Sequence, residues 1–165
     1  MTVRIAPLTD ADPIAIEALL DAAFGADRHK RTAYRIRAGE PAIADLSFAA
    51  FERETLVGSL QSWPVAVADV PTVLVGPVAV MPVCQSAGIG RAMMEALMAV
   101  DPERTMVMIG DPEYYGRYGF DCAATAGWDV PGPVERHRLL ARHGDRLPRT
   151  GHLGPRAFAL ASRTA

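Results

Sequence analysis

The segment from residue 78 to residue 94, VAVMPVCQSAGIGRAMM, carries residue types suited to binding an anion. An apolar, strand-like run meets a polar break and two glycines, Gly88 and Gly90, before Arg91 and a series of helix formers. The first N–H groups of a helix lack intrahelical partners, the helix dipole adds a partial positive charge, and glycine lets a phosphate approach the backbone. The pattern therefore indicates a phosphate-binding loop, with an ordinary left-handed turn before a helix as the alternative.

Two nucleotide-binding motifs are excluded by the letters of this segment. A P-loop requires Lys followed by Ser or Thr after its last glycine, whereas Arg91 and Ala92 follow Gly90. A dinucleotide-binding fingerprint requires a third glycine at position 93, where the chain has Met93. ATP and NAD are therefore disfavoured as the ligand.

The bulk composition is that of an ordinary globular protein. The chain has 165 residues, of which 50% are hydrophobic and 22% charged, and we predict a single domain over residues 1–165. The net charge of -2 and the pI near 6.1 disfavour nucleic acid and anionic membranes as partners.

The N-terminus and the cysteines indicate a cytoplasmic location. The first twenty residues lack the basic start and unbroken apolar stretch of a signal peptide, and the longest apolar run is too short to span a membrane. The two cysteines, Cys84 and Cys122, show neither metal-ligand spacing nor a disulfide pattern, so no metal is expected. Cys84 is expected to be a small buried residue rather than a nucleophile.

The elements that must position the glycine segment follow the order β-α-α-β-β-β-α-β-α-β-β, an α/β arrangement with a mixed sheet. Asp12 is a predicted N-cap with Pro13 at the first helical position. The expected strands are 3–6, 46–52, 55–67, 72–80 and 105–111, with one or two more in GWDVPGPV and RAFALAS; the expected helices are about 13–24, 28–38, 88–100 and 112–118. The arginine-rich stretch 135–149 is expected to be a solvated amphipathic helix and loop.

Gly76-Pro77 lies inside the apolar run TVLVGPVAV, which otherwise has the composition of a strand buried on both faces. Proline cannot donate to a sheet ladder, so the pair predicts a bulge or a splay in the middle of the sheet.

The motif QSAGIG, which has the form Q-x-x-G-x-G, together with the segment GDPEYYGRYGF, resembles two hallmarks of the GCN5-related N-acetyltransferase (GNAT) family. The resemblance extends through nearly the whole element order and is similar in detail to a subgroup of bacterial predicted N-acetyltransferases whose substrates are mostly unassigned. It implies the acyl-CoA N-acyltransferase fold: a mixed six- to seven-stranded sheet, splayed at its central strand and flanked by about four helices.

The resemblance also implies how acetyl-CoA, the expected cosubstrate, is held. Val78, Ala79 and Val80 would offer backbone groups to the pantetheine arm, and the Val80 N–H would polarise the thioester carbonyl. The pyrophosphate would bind backbone N–H groups between Gln85 and Arg91, in the residues Gln85, Ser86, Ala87, Gly88, Ile89, Gly90 and Arg91. The Arg91 side chain either adds a charge-assisted contact or is simply solvated, and the Ile89 and Met93 side chains are expected to point into the core.

By its position before Gly119-Phe120, Tyr115 matches the family's general acid, which protonates the leaving thiolate after direct attack of a primary amine. Tyr114 and Tyr118 are expected to be packing residues. The chain departs from the family at Gly110-Asp111, where an asparagine is common, and Asp111 is instead a predicted helix cap. Four carboxylates are candidates for the general base: Glu52, Glu54, Asp69 and Glu113.

The acceptor is not specified by any motif, so a small-molecule or a peptide amine remains open. A homodimer is common among such folds, and the sequence does not decide it. A non-catalytic acyl-CoA-binding or sensing protein on the same fold is the alternative function, and Tyr115 favours the enzyme. Trp63 and Trp128 are expected either to line the acceptor pocket or to pack in the core.

Overall fold

The computed structural model describes residues 2–157, which form four α-helices, nine strands and several short 3-10 turns. Residues 2–29, 42–62 and 77–102 form one compact unit, and residues 30–41, 63–76 and 103–157 form a second. Two long strands, β3 (Thr55–Val67) and β4 (Val70–Val80), contribute residues to both units. The single-domain assignment stays a prediction.

The first unit contains strands and two helices of twelve residues each. Ile5 pairs with Ala50 between β1 and β2, and Ala50 pairs with Gly58 between β2 and β3, next to a bulge. Its elements are β1 (Arg4–Pro7), α1 (Pro13–Phe24), β2 (Phe48–Glu52), the first part of β3 (Thr55–Val67), the end of β4 (Val70–Val80) and α2 (Ile89–Val100).

Local sequence rules account for the start of α1. The Asp12 side chain accepts a hydrogen bond from the Ile14 N–H at 2.9 Å, and Pro13 occupies the first helical position, as predicted. Ile16, Leu19 and Leu20 then bury one side of the helix in a core that also contains Ala49, Phe51 and Ala79.

The second unit has both parallel and antiparallel pairing. β4 pairs in parallel with β5 (Met106–Ile109). β8 (Leu139–Arg142) pairs antiparallel with β5 and with β6 (Phe120–Asp121). β9 (Thr150–Pro155) pairs with β3 and with β7 (Gly127–Asp129). Its further elements are α3 (Thr32–Ile36), β5 (Met106–Ile109), α4 (Pro112–Tyr115), β6 (Phe120–Asp121), β7 (Gly127–Asp129), β8 (Leu139–Arg142) and β9 (Thr150–Pro155). The predicted mixed α/β sheet is therefore confirmed, with nine strands in the described residues where six to seven were expected.

β4 runs from Val70 to Val80 without interruption, and at the position of the predicted bulge or splay Gly76 has an unusual backbone conformation. This residue has φ +131°, a value that favours glycine, and the Trp63 indole N–H donates to its carbonyl at 2.6 Å. In the described residues the parallel pairing of β4 with β5 is confined to one position, Leu74 with Val107. The described ladder between these strands therefore does not extend beyond Leu74.

The prediction of a solvated helix over residues 135–149 is wrong. Leu139, Leu140 and Ala141 are buried in β8, which lies between β5 and β6 in the sheet. Arg136, Arg142 and Arg146 of this stretch donate to main-chain carbonyls; the Arg142 guanidinium, for instance, donates to the Tyr118 carbonyl at 2.8 Å. The further strand in GWDVPGPV is confined to Gly127–Asp129, and the one predicted in RAFALAS lies outside the described residues from position 158.

Candidate active site

The loop before α2 leads into a helix whose N-terminus is not capped by any described side chain. Gly88 is the N-cap residue, with φ +78° and ψ 14°, and no side chain caps the helix. A Cβ at Gly88 would meet no atom within 4 Å, so glycine is needed there for its backbone conformation and not for packing. The first N–H groups of α2, which no described side chain caps, therefore fit a site for an anionic group.

Ser86 adds a second left-handed residue to this loop. Its φ is +71°, while the residues on either side do not have positive φ, so the sign of φ alternates from Gln85 to Gly88. A non-glycine residue in this conformation is strained, and the sequence, although it placed Ser86 in the loop, did not predict its positive φ.

The apolar side chains of α2 fix the helix on β3. A Cβ at Gly58 would lie 2.9 Å from Ile89 Cγ2 and 3.0 Å from Met93 Cε, so glycine permits the close approach of helix and strand. Ile89 and Met93 are buried, as expected. Of the predicted ligand residues, Ile89 can therefore contribute only its backbone.

The other predicted ligand residues differ in exposure. Gln85, Ser86, Ala87 and Gly88 are exposed, and Gly90 is half-buried. The Arg91 guanidinium lies 3.0 Å from Glu95 Oε1, with both side chains well exposed, so this pair contributes little to stability. Cys84 is buried, as predicted.

The end of β4 places backbone next to this loop. Ala79 is buried in the core of the first unit, whereas Val78 and Val80 are half-buried. The Met81 N–H donates to the Val57 carbonyl at 2.9 Å, which ties the end of β4 to β3. The role predicted for Val78, Ala79 and Val80 therefore rests on their main-chain groups.

Tyr115 ends the short helix α4 in the second unit. The Asp111 side chain accepts the Glu113 N–H at 3.0 Å and Pro112 follows it, which confirms the predicted cap. The Tyr115 ring meets the rings of Tyr114 and Phe120 edge to face, with centroids 4.8 and 6.4 Å away. Burial, with smaller effects from Tyr114 and Asp111, raises the pKa of Tyr115 to about 12, so its phenol is protonated at neutral pH.

Close packing against Tyr115 suits glycine at position 110, where the resemblance led us to expect an asparagine. A Cβ at this position would lie 2.8 Å from two ring atoms of Tyr115. The Tyr115 ring thus occupies the volume that a side chain at position 110 would need.

Gly110→Ala is expected to displace the Tyr115 ring and to lower kcat at least tenfold, because overpacking forces side chains from their positions at a cost of roughly 1–3 kcal/mol. Gly116→Ala is the matched control, since a Cβ at Gly116 meets no atom within 4 Å and its backbone is helical. Kinetics and thermal denaturation of both variants check this. Equal kcat in the two variants would contradict the steric role of Gly110.

The candidate bases all lie at the surface. Glu54, Asp69 and Glu113 are exposed and Glu52 is half-buried. Within residues 2–157, no three His, Cys, Asp or Glu side chains are placed to share a metal ion, and no helix is long and apolar enough to cross a membrane.

Both tryptophans pack in the core of the second unit. The Trp128 indole N–H donates to the Pro148 carbonyl at 2.8 Å.

Sequence reasoning missed three polar side chains on β3: Ser59, Gln61 and Ser62. All three are buried, and Ser59 Oγ, Gln61 Oε1 and Ser62 Oγ have no hydrogen-bond partner among residues 2–157. The signal available was the run GSLQSW, in which polar residues interrupt a strand that is otherwise apolar.

Comparisons with known proteins agree on one family. The sequence model described as "Acetyltransferase (GNAT) family" matches residues 14–112. No curated protein sequence matches the chain.

Solved structures share the fold at low sequence identity. A GNAT family N-acetyltransferase (YhbS) from Escherichia coli, in complex with CoA, is 22% identical with a TM-score of 0.67, over 93% of this chain and 88% of that one. A GNAT family acetyltransferase from Brucella melitensis, in complex with acetyl-CoA, is 23% identical with a TM-score of 0.55, over 86% and 96%. Arabidopsis thaliana Naa50, in complex with the bisubstrate analogue CoA-Ac-MVNAL, is 12% identical with a TM-score of 0.58, over 86% and 99%.

The matched family sequence covers more than half of the chain, from α1 to the start of α4, and it includes the open helix N-terminus at Gly88. The chain belongs to the acetyltransferase (GNAT) family.

Proposed function

We propose that this protein transfers an acetyl group from acetyl-CoA to a primary amine by direct attack of the amine. The observation that carries the proposal is the uncapped N-terminus of α2, where Gly88 is left-handed, exposed and clear of other atoms. That geometry fits a pyrophosphate bound by backbone N–H groups. The complexes of the E. coli and B. melitensis structures with CoA and acetyl-CoA support the same cosubstrate.

The backbone of two consecutive segments holds the cosubstrate in this proposal. N–H groups between Gln85 and Arg91 bind the pyrophosphate, and main-chain groups of Val78, Ala79 and Val80 bind the pantetheine amides. Acetyl-CoA supplies the acetyl group as an activated thioester. The Val80 N–H donates to the thioester carbonyl oxygen and stabilises the negative charge that develops there.

Tyr115 supplies the proton for the departing thiolate as the carbon–nitrogen bond forms and the carbon–sulfur bond breaks. The amine nitrogen loses one proton to water in the same reaction, and the phenol regains its own from solvent. The raised pKa of Tyr115 keeps the proton in place at neutral pH, so the phenol is always in the form that can donate. The attacking amine must be neutral, because a protonated amine has no lone pair for the carbonyl carbon. The acceptor is a small molecule or a peptide, and the peptide-containing analogue in the Naa50 structure supports the second.

Thermal-shift titration of the protein with acetyl-CoA, CoA, ATP and NAD tests the cosubstrate. We expect stabilisation by acetyl-CoA and CoA alone, since only binding to the native state raises the melting temperature. Release of CoA in the presence of a panel of amines then tests catalysis. Stabilisation by ATP or NAD without CoA would refute the proposal, and CoA binding without acetylation of any amine would favour the sensing protein.

A further inference from the structure

The Trp63 side chain connects the core of the second unit to the main chain of β4. Its indole N–H donates to the Gly76 carbonyl at 2.6 Å, and its exposed fraction is 7%. Gly76 has φ +131°, and the described pairing of β4 with β5 does not extend beyond Leu74, two residues earlier. A buried side-chain donor therefore holds β4 at a point beyond its described ladder with β5.

The Arg37 guanidinium covers the ring of Trp63. Its Cζ lies 3.6 Å from the centroid of the Trp63 ring and 4.1 Å from the centroid of the Tyr34 ring. Arg37 directly follows α3, and Tyr34 lies three positions earlier, so one short segment supplies both side chains. The attraction of a cation to an aromatic face restricts the ring plane of Trp63, and with it the direction of the indole N–H.

The segment 77–80, which follows directly in β4, is the one proposed to bind the pantetheine arm. Two hydrogen bonds to β3 flank it: the bond at Gly76 and, at the other end, the bond from the Met81 N–H to the Val57 carbonyl at 2.9 Å. An oxyanion donor is effective only when its N–H points at the position where the charge develops. The direction of the Val80 N–H therefore depends on how both ends of this segment are held.

We propose that Trp63 and Arg37 are positioning residues for acetyl transfer: the indole fixes the Gly76 carbonyl, and the guanidinium fixes the indole. In this role neither side chain contacts the reacting atoms. Their effect reaches the thioester through the main chain of β4, which orients the Val80 N–H. The proposal rests on the acetyltransferase function proposed above.

Trp63→Phe removes the indole N–H and keeps an aromatic ring in the core. We expect kcat to fall about tenfold, because a misdirected donor stabilises the transition state less than a preorganised one. The Kd for CoA should change less than about threefold, because CoA has no thioester carbonyl to bind. Kinetics with accepted amines and calorimetric titration with CoA measure the two quantities.

Trp128→Phe is the matched control for Trp63→Phe. The Trp128 indole N–H donates to the Pro148 carbonyl at 2.8 Å, and both tryptophans belong to the same buried core. The two variants should therefore lose similar stability in thermal denaturation, while only Trp63→Phe should lose activity. An equal loss of kcat in both variants would show a general structural effect and overturn the role of Trp63.

Arg37→Met tests the second step of the proposal with Trp63 in place. It removes the cation and keeps an apolar stem, and kcat should fall about threefold, the loss of one cation–π contact. Arg37→Lys, which keeps a cation, should lose less. Arg4→Met is the control, since the Arg4 guanidinium lies over the Phe51 ring at 4.8 Å from its centroid, and it should keep the wild-type kcat.

Nuclear magnetic resonance of the indole N–H groups tests the positioning independently of catalysis. The chain has two tryptophans, so Trp128→Phe assigns the remaining indole signal to Trp63. Arg37→Met should shift the Trp63 signal and speed its exchange with solvent, because its hydrogen bond opens more often. Arg4→Met should leave the signal unchanged.

A wild-type kcat in Trp63→Phe would refute the proposal while leaving the proposed function intact. An unchanged Trp63 indole signal in Arg37→Met would remove Arg37 from it. A wild-type protein that binds CoA and acetylates no amine of the panel would overturn the proposed function and this inference together.

Discussion

Replacing Tyr115 with phenylalanine is expected to lower kcat about 100-fold, at the lower end of the range typical of a general acid, while leaving acetyl-CoA affinity unchanged. The lower end applies because burial raises the pKa of Tyr115 to about 12. A phenol with this pKa is protonated at neutral pH, but it is a weaker acid toward the thiolate than a tyrosine with the ordinary pKa of 10.0. The ring packs edge to face on Tyr114 and Phe120, and phenylalanine preserves those contacts.

The pH dependence follows from the same pKa. The phenol must be protonated to act, and it loses its proton only as the pH rises through about 12. The wild-type rate should therefore rise from pH 7 to 10 as the acceptor amine loses its proton, without a decline over that range.

Tyr114→Phe is the matched control for Tyr115→Phe, since it removes the neighbouring hydroxyl, and it should retain the wild-type kcat. Single-turnover kinetics with saturating acetyl-CoA measure the effect on the chemical step. A wild-type decline between pH 8 and 10 that disappears in Tyr115→Phe would contradict the high pKa. An unchanged kcat in that variant would remove Tyr115 from the mechanism.

Features governed by local stereochemistry were predictable from the sequence. Asp12-Pro13 and Asp111-Pro112 begin helices because a carboxylate satisfies an N–H group and proline has the φ of a first helical residue. Gly76 and Gly88 both have positive φ, which glycine adopts for equally local reasons. Gly76-Pro77 lies in the strand before the proposed cosubstrate loop, and Gly88 lies in the loop itself.

Features set by distant residues were not predictable in this way. Leu139, Leu140 and Ala141 form a short apolar run between arginines, which is compatible with a helix or a strand. Pairing with β5, where Leu139 lies opposite Ile109, decides for the strand. The close contact of Gly110 with the Tyr115 ring likewise depends on how α4 packs.

The polar face of β3 was missed for a related reason. A serine or glutamine in a strand is most often exposed, and only the neighbours of the strand show that Ser59 and Gln61 are buried. Their unpaired oxygens could be recognised only from a complete hydrogen-bond inventory. The burial of these residues was thus not visible in the sequence, whereas the residues proposed to bind the cosubstrate followed a motif.

Gly88→Glu is expected to weaken acetyl-CoA binding at least 100-fold. The substitution places a carboxylate at the N-terminus of α2, where the side chain can cap the helix and repel a pyrophosphate. Losing two hydrogen bonds to a charged ligand, at about 1.5–3 kcal/mol each, accounts for a loss of this size. Calorimetric titration with acetyl-CoA and with CoA measures it.

Gly39→Glu separates this loss from the strain of the substitution. Gly39 also has φ +78° and no atom within 4 Å of a Cβ position, so both variants force glutamate into the left-handed region in open space. Each should lose stability by roughly 1–2 kcal/mol from that conformation. Only the variant at position 88 should lose acetyl-CoA binding, because Gly39 does not precede a helix of the site. If both variants bound acetyl-CoA equally well, the pyrophosphate would have to lie elsewhere, and the assignment of residues 85–91 would be wrong.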